Sequence, residues 1–159
     1  MTIRVGFGYD IHQFSEGREL HIGGVQLEHE MGLLGHSDAD VLLHAVMDAM
    51  LGAANMRDIG FHFPDTSADY KGADSKELAK QVAELIKTKG YSLVNVDATV
   101  CMERPKLNPY IPAIQEKMSQ LLGVDTDAIS IKATTSEKMG FVGQELGAKA
   151  YAVVLLEKS

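Results

Sequence analysis

In the stretch GYDIHQF, residues 8–14, an aspartate and a histidine stand two apart within a run of strand-like composition. Side chains alternate faces along a strand, so Asp10 and His12 share one face, with Ile11 and Phe14 assigned to the other. A carboxylate beside an imidazole on an inward face needs a partner: a hydrogen-bond network, a proton-transfer pair or a metal. A second histidine, His44, lies in the apolar run VLLHAVMDAMLGAANM, and Asp40 and Asp48 stand four residues to either side of it. That spacing stacks the three on one helix face. Asp10, His12 and His44 together make one carboxylate and two imidazoles, the donor set of a catalytic zinc with an open fourth position. The same set suits a non-haem iron triad, and spacing does not choose between them. Without a metal, Asp10 and His12 read as a local ion pair and His44 as a surface histidine. Asp40 or Asp48 is the candidate to orient an imidazole from behind.

Other stretches carry oxygen-rich or cationic side chains. GHSDAD supplies His36, Ser37, Asp38 and Asp40 ahead of the helix, where free backbone N–H groups suit a phosphate or a serine N-cap. KATTSEKMGFVGQ, residues 132–144, offers three hydroxyls (Thr134, Thr135, Ser136), two lysines and glycine-freed backbone. These suit phosphate oxygens, and Glu137 suits magnesium through one carboxylate; a capping box from Thr134 to Glu137 is the simpler alternative. The proline-bearing loops MERPKLNP and DIGFHFPDT add Lys106, Asp58 and Asp65. No serine or cysteine nucleophile motif, dinucleotide fingerprint or P-loop lysine pattern is present. Phosphate chemistry here therefore draws its nucleophile from the substrate or from metal-bound water.

The elements that must position these groups follow from periodicity. Residues 2–14 read as a strand, and 19–28 as a hairpin turning at Gly23 and Gly24. A helix follows over residues 41–56 with Ser37 as N-cap, then an irregular loop over residues 55–73. A second helix begins at Asp74, with Glu77 completing a capping box, and Gly90 closes it. Val94, Val96, Ala98, Val100 and Met102 alternate onto one face of a strand. Asn108 and Pro109 open a third helix ended by Gly123, and AISIKATT and GAKAYAVVLLE read as two more strands. The pattern is α+β, a small mixed sheet covered by helices. The last strand, apolar on both faces near its end, belongs at the sheet centre or at a subunit interface.

Length and composition bound the rest. At 159 residues the chain reads as one domain, 1–159, able to bury roughly 68–70% of its unfolded surface. A net charge of −7 argues against nucleic-acid and membrane-surface partners. One cysteine, Cys101, excludes an internal disulfide framework and reads as a half-buried apolar residue. Arg4, Asp10 and His12 interrupt any signal-like start, and the most apolar run is too short to span a bilayer, so a cytoplasmic location is expected.

Taken in order, RVGFGYDIHQF, GLLGHSDADVLLHAVMDAMLGAANMRDIGFHFPDT, KGADSKEL, GYSLVNVDATV, RPKLNPYIPAI and IKATTSEKMGFVG resemble the 2-C-methyl-D-erythritol 2,4-cyclodiphosphate synthase family nearly end to end. The resemblance implies a homotrimer of α+β subunits with active sites between neighbours. It implies a lyase of the non-mevalonate isoprenoid pathway that cyclises 4-diphosphocytidyl-2-C-methyl-D-erythritol 2-phosphate and releases CMP. Asp10, His12 and His44 then match divalent-metal ligands, usually zinc, and His36 and Thr135 match transition-state stabilisers. Ser37, Asp58, Ile59, Gly60, Phe63, Pro64, Asp65, Thr66 and Ser67 match the methylerythritol phosphate side. Met102, Glu103, Arg104, Pro105, Lys106, Leu107 and Asn108, with Thr134, Thr135, Ser136 and Glu137, match the cytidine and diphosphate side. Glu137 is the implied ligand of Mg2+ or Mn2+ on the diphosphate, and Phe141 and Gln144 complete the implied substrate residues. Where the family commonly carries an arginine after GFVG and a glutamate two residues on, the chain reads Gln144, Glu145 and Leu146. Gln144 supplies no positive charge, so the resemblance does not extend to an isoprenoid-diphosphate site in a central trimer cavity. The rival activities are a metal-dependent phosphohydrolase and a non-catalytic trimer that binds isoprenoid diphosphates.

Overall fold

A computed structural model describes residues 2–158. Met1 and Ser159, the ends of the domain read from the sequence, lie outside the described residues. The strands are β1 (Thr2–Glu16), β2 (Leu20–Ile22), β3 (Val25–Leu27), β4 (Met31–Leu33), β5 (Tyr91–Cys101), β6 (Ile129–Thr134) and β7 (Gly147–Lys158). The helices are α1 (Val41–Ala53), the short α2 (Ile59–His62), α3 (Ser75–Thr88), α4 (Ile111–Leu122) and the short α5 (Gly140–Gly143). One five-stranded sheet runs β4-β1-β7-β5-β6, and β2 and β3 form a separate hairpin. Only β5 and β6 pair in parallel; the other ladders are antiparallel. The mixed α+β reading holds, and the apolar last strand is central, between β1 and β5.

Helix α1 is buried along nearly its whole length, only Asp48 and Gly52 reaching solvent, as a largely apolar helix requires. It lies on the inward face of β1 at unusually close range. A Cβ on Gly6 would meet the Ala49 carbonyl oxygen at 1.8 Å, and one on Gly8 would meet that of Ala45 at 1.8 Å. Glycines on the strand and alanines on the helix therefore let two backbones approach where no larger pair fits. Asp10 and His12 are the next inward positions along β1, which carries them to the first turns of α1. Phe14 shares that parity and packs on the core, whereas Ile11 is exposed. The assignment of Phe14 to the face of Ile11 is thus corrected by simple alternation.

Local details refine the other expectations. Asp40, not Ser37, caps α1: its carboxylate accepts the Leu43 N–H at 3.0 Å. It also accepts from Gly23 and Gly24 at 2.9 and 2.7 Å, tying the hairpin turn to the helix start. Both glycines have positive φ, which suits a two-residue hairpin turn. Asp74 caps α3, but Glu77 turns to Lys80 instead of closing a capping box. Asn108 makes no side-chain cap; a 3-10 turn over Asn108–Tyr110 leads into α4, and Gly123 ends it with φ +69°. In β5 the register shifts between Leu93 and Asn95, and this bulge turns Val94 outward while Val96, Ala98, Val100 and Met102 stay inside.

Two glycine substitutions separate close approach from helix propensity. Gly8→Ala forces β1 away from α1 and is expected to cost at least ~1–3 kcal/mol in urea unfolding. Gly52, inside α1 with nothing near its absent Cβ, should gain about 0.5–1 kcal/mol as alanine. Equal small effects at both positions would contradict the close-packing account.

Candidate metal centre and its cleft

Asp10 on β1, His12 two residues on, and His44 in the first turns of α1 bring three ligand atoms together. Asp10 Oδ2 lies 2.9 Å from His12 Nε2 and 3.0 Å from His44 Nδ1, and the two nitrogens are 3.3 Å apart. Bonds of ~2.0–2.1 Å to a tetrahedral zinc place ligand atoms about 3.3 Å apart, so the triangle fits such an ion with little movement. Each imidazole is also held by its other nitrogen. His12 Nδ1–H donates to the Leu34 carbonyl at 2.8 Å, so in the neutral ring the Nε2 lone pair faces the triangle, whereas in the protonated ring Nε2–H donates to Asp10. His44 Nε2 lies 2.9 Å from the Ser75 hydroxyl and 3.3 Å from that of Ser37.

Charge is balanced locally. Burial pushes the Asp10 carboxyl upward, but hydrogen bonds and attraction from His12 and His44 outweigh it and bring it down to about 2. Burial alone would lower His44; the Asp10 bond and charge, with Asp40 and Asp38 behind, raise it above the ordinary histidine value. Asp40 and Asp48 share its helix face but do not touch the imidazole. Burial raises both carboxyls, and each is bound to backbone: Asp40 to the hairpin turn, Asp48 to the Ile59 N–H at 2.8 Å. The imidazole-orienting role assigned to these aspartates therefore falls to Ser75 and Ser37.

The triangle opens into a cavity of about 250 Å3, lined also by Gly35, His36, Ser37, Ile59, Gly60, Phe63 and Asp65. Asp58 shapes this wall by accepting the Phe61 N–H at 2.9 Å. Ser67 caps the following turn by accepting from Asp69 N–H at 3.3 Å, with Pro64 and Thr66 between. His36 is largely exposed, its Nε2 3.9 Å from Asp65.

The second group of expected residues gathers elsewhere. Met102, Lys106, Leu107, Asn108, Thr134 and Thr135 line a separate cavity of about 400 Å3. Glu103 steadies its rim by accepting the Ser136 N–H at 2.7 Å, and Arg104, beside Pro105, pairs with Glu145 at 2.7 Å. No capping box forms at Thr134. Instead Thr135 Oγ1 accepts the Glu137 N–H at 3.3 Å in a turn where Glu137 and Lys138 have positive φ. Glu137 does not join the Asp10 cluster. Phe141 lines a third hollow with Ile11 and Leu146, and Gln144 ends α5.

The sequence reading missed Ser75, Asp38 and the Leu34 carbonyl as partners of the cluster. The only available signal was Ser75 directly after the cap residue Asp74, which gives no hint of a contact 31 residues away.

A mixed sheet that brings a carboxylate and two braced imidazoles to a cleft walled in part by Ile59 and Phe63 presents a candidate metal site of the kind found in metalloenzymes. The YgbB family model matches residues 3–157, and the chain belongs to that family. It is 65% identical over 158 residues to the 2-C-methyl-D-erythritol 2,4-cyclodiphosphate synthase of Bacteroides thetaiotaomicron, covering 99% of both chains. Among solved structures it resembles the bifunctional IspDF of Campylobacter jejuni with TM-score 0.95 and 42% identity, covering 99% of this chain and 43% of that one. It also resembles a CDP-bound 2C-methyl-D-erythritol-2,4-cyclodiphosphate synthase with TM-score 0.89 and 34% identity, covering 97% and 100%.

Proposed function

We propose that this chain, as one domain, cyclises 4-diphosphocytidyl-2-C-methyl-D-erythritol 2-phosphate to 2-C-methyl-D-erythritol 2,4-cyclodiphosphate and releases CMP. The observation that carries this reading is the braced Asp10–His12–His44 triangle opening on a cleft lined by no cysteine or threonine and by a single serine. The one serine lining it, Ser37, accepts the Ala39 N–H at 3.1 Å and abuts His44. Relatives that bear the synthase name, and one with CDP bound, support the substrate class.

In the reaction a 2-phosphate oxygen bonds to the β-phosphorus, and the bond from that phosphorus to the oxygen of the α-phosphate breaks, so CMP departs with the bridging oxygen. Because both reactants sit in one molecule, the protein's main task is to hold it folded, worth up to ~7–11 kcal/mol in favourable cases. Asp10, His12 and His44 would hold a divalent ion, zinc in this reading, which would supply positive charge to phosphoryl oxygens. Ile59, Gly60, Phe63 and Asp65, with Asp58, Pro64, Thr66 and Ser67 behind them, enclose the methylerythritol phosphate end. His36 and Thr135 donate to the transferring phosphoryl oxygens. Residues 102–108 and 134–137 take the cytidine and diphosphate, where the exposed Glu137 would hold Mg2+ or Mn2+ through its carboxylate; Phe141 and Gln144 border the site.

A homotrimer with its sites between neighbours belongs to the proposal. Two features support it: the metal-side and nucleotide-side residues line separate cavities on one chain, and the outer sheet face is apolar. Val5 is 67% exposed and Phe7 62%, alongside Ile3, Tyr9, Ile11 and Val153, an exposed apolar row of the kind that marks an interaction surface. No helix among the described residues is long and apolar enough to cross a membrane, and the reaction is assigned to the cytoplasm.

Phosphorus NMR of the zinc- and magnesium-loaded protein with the diphosphocytidyl substrate should show the cyclic diphosphate and CMP, with little product from His12→Ala. Linear phosphates would mean hydrolysis instead. Phe7→Glu should turn a trimer into a monomer in light scattering and depress turnover with it; a monomeric parent enzyme would contradict the shared-site reading.

A further inference from the structure

We infer that Asp38 and Ser75 form a relay that fixes the tautomer of His44 and thereby turns its Nδ1 lone pair toward the metal position. The inference rests on reading Asp10, His12 and His44 as metal ligands. It assigns Ser75 and Asp38 a positioning role, since neither reaches the ligand triangle.

Beside Asp10 alone the His44 ring favours its protonated form, but a ring that ligates an ion is neutral and carries one proton. If that proton sits on His44 Nδ1, it bonds to Asp10 Oδ2 at 3.0 Å and no lone pair is left for an ion. If it sits on Nε2, Nδ1 is free to ligate. The neighbour of Nε2 decides between the two. Ser75 Oγ lies 2.9 Å from Nε2 and 2.5 Å from Asp38 Oδ1. An ionised carboxylate only accepts hydrogen bonds, so the Ser75 hydroxyl gives its single proton to Asp38. Its oxygen then offers His44 lone pairs alone, and the ring proton belongs on Nε2.

The relay is held from both ends. Asp38 Oδ2 also accepts the Ser75 N–H at 3.1 Å, and Oδ1 accepts the Asp40 N–H at 3.3 Å, so its carboxylate is clamped between α3 and the start of α1. Ser75 is fully buried, which keeps bulk water from replacing its hydroxyl. Ser37 Oγ, at 3.3 Å from the same Nε2, is the weaker neighbour because nothing commits its proton elsewhere. An equivalent device braces His12, where the Leu34 carbonyl can only accept. The two imidazoles thus reach one outcome by different means, a backbone carbonyl for one and a serine polarised by a carboxylate for the other.

The test compares the parent protein with Ser75→Ala, Ser75→Thr, Asp38→Asn and His12→Ala. Zinc affinity is read by competition with a chromophoric chelator, and the His44 ring protons by long-range proton–nitrogen NMR of the zinc-loaded protein. Ser75→Ala should weaken zinc binding about 10–100-fold, as loss of an outer partner does, and the slowly exchanging Nε2 proton should vanish. Ser75→Thr, which keeps the hydroxyl, should restore both. Asp38→Asn should weaken binding as well, because the Ser75 N–H and hydroxyl use different Asp38 oxygens and the amide replaces one of them with a donor NH2; it carries the test if Ser75→Ala does not fold. Parent-like affinity in Ser75→Ala and Asp38→Asn, with the Nε2 proton still protected, would overturn the relay while leaving the metal site standing. A parent protein whose zinc binding is absent, or indifferent to His12→Ala, would overturn the metal site and the relay together.

Discussion

The close approach of β1 to α1 is the constraint on which the rest of the molecule depends. Gly6 and Gly8 remove two side chains where the Ala49 and Ala45 carbonyls would otherwise collide with them. Only at that spacing can the next inward residues of the strand, Asp10 and His12, meet a histidine in the first turns of the helix. Interiors pack with few voids, so a shift of even one methyl group is transmitted to neighbours. A core contact made of the smallest residues thereby sets the dimensions of a cluster of polar ones.

Around that contact, one buried and two half-buried acids act as fasteners. Asp40 joins the hairpin turn to the start of α1, Asp48 holds the start of α2, and Asp38 grips α3 at Ser75. Each carboxylate accepts at least one backbone N–H, and Asp38 the Ser75 hydroxyl as well, which offsets the cost of burying charge. Among the described residues no buried side-chain polar atom lacks a partner. A chain of net charge −7 can still receive an anionic substrate, because the acids nearest His44 are engaged inward and Asp10 is balanced by two imidazoles.

Much of this was legible in the residues, and the limits were physical. Period-two alternation placed Asp10 and His12 on one face, and the apolar run around His44 marked a helix that could reach them. The hairpin at Gly23 and Gly24 and the end of α4 at Gly123 followed from glycine's tolerance of positive φ. Alternation failed at Val94, because a bulge inserts a residue that no pattern announces. The cap was misplaced from Asp40 to Ser37 because several side chains in HSDAD are chemically able to cap. Ser75 was invisible because its contact with His44 is made by the packing of α3, and local spacing holds no record of it. The roles of His36, Thr135 and the 102–108 loop came from resemblance; the structure places Thr135 and that loop in a cavity apart from the metal triangle.

The central claim is that Asp10, His12 and His44 hold one divalent ion with a position open to substrate. Anomalous diffraction at the zinc edge, from crystals grown with zinc and CDP, tests it most directly. The account predicts one strong peak about 2.0–2.2 Å from Asp10 Oδ2, His12 Nε2 and His44 Nδ1, with its fourth position taken by water or a phosphate oxygen. A fourth protein ligand, or no peak between these three side chains, would contradict it.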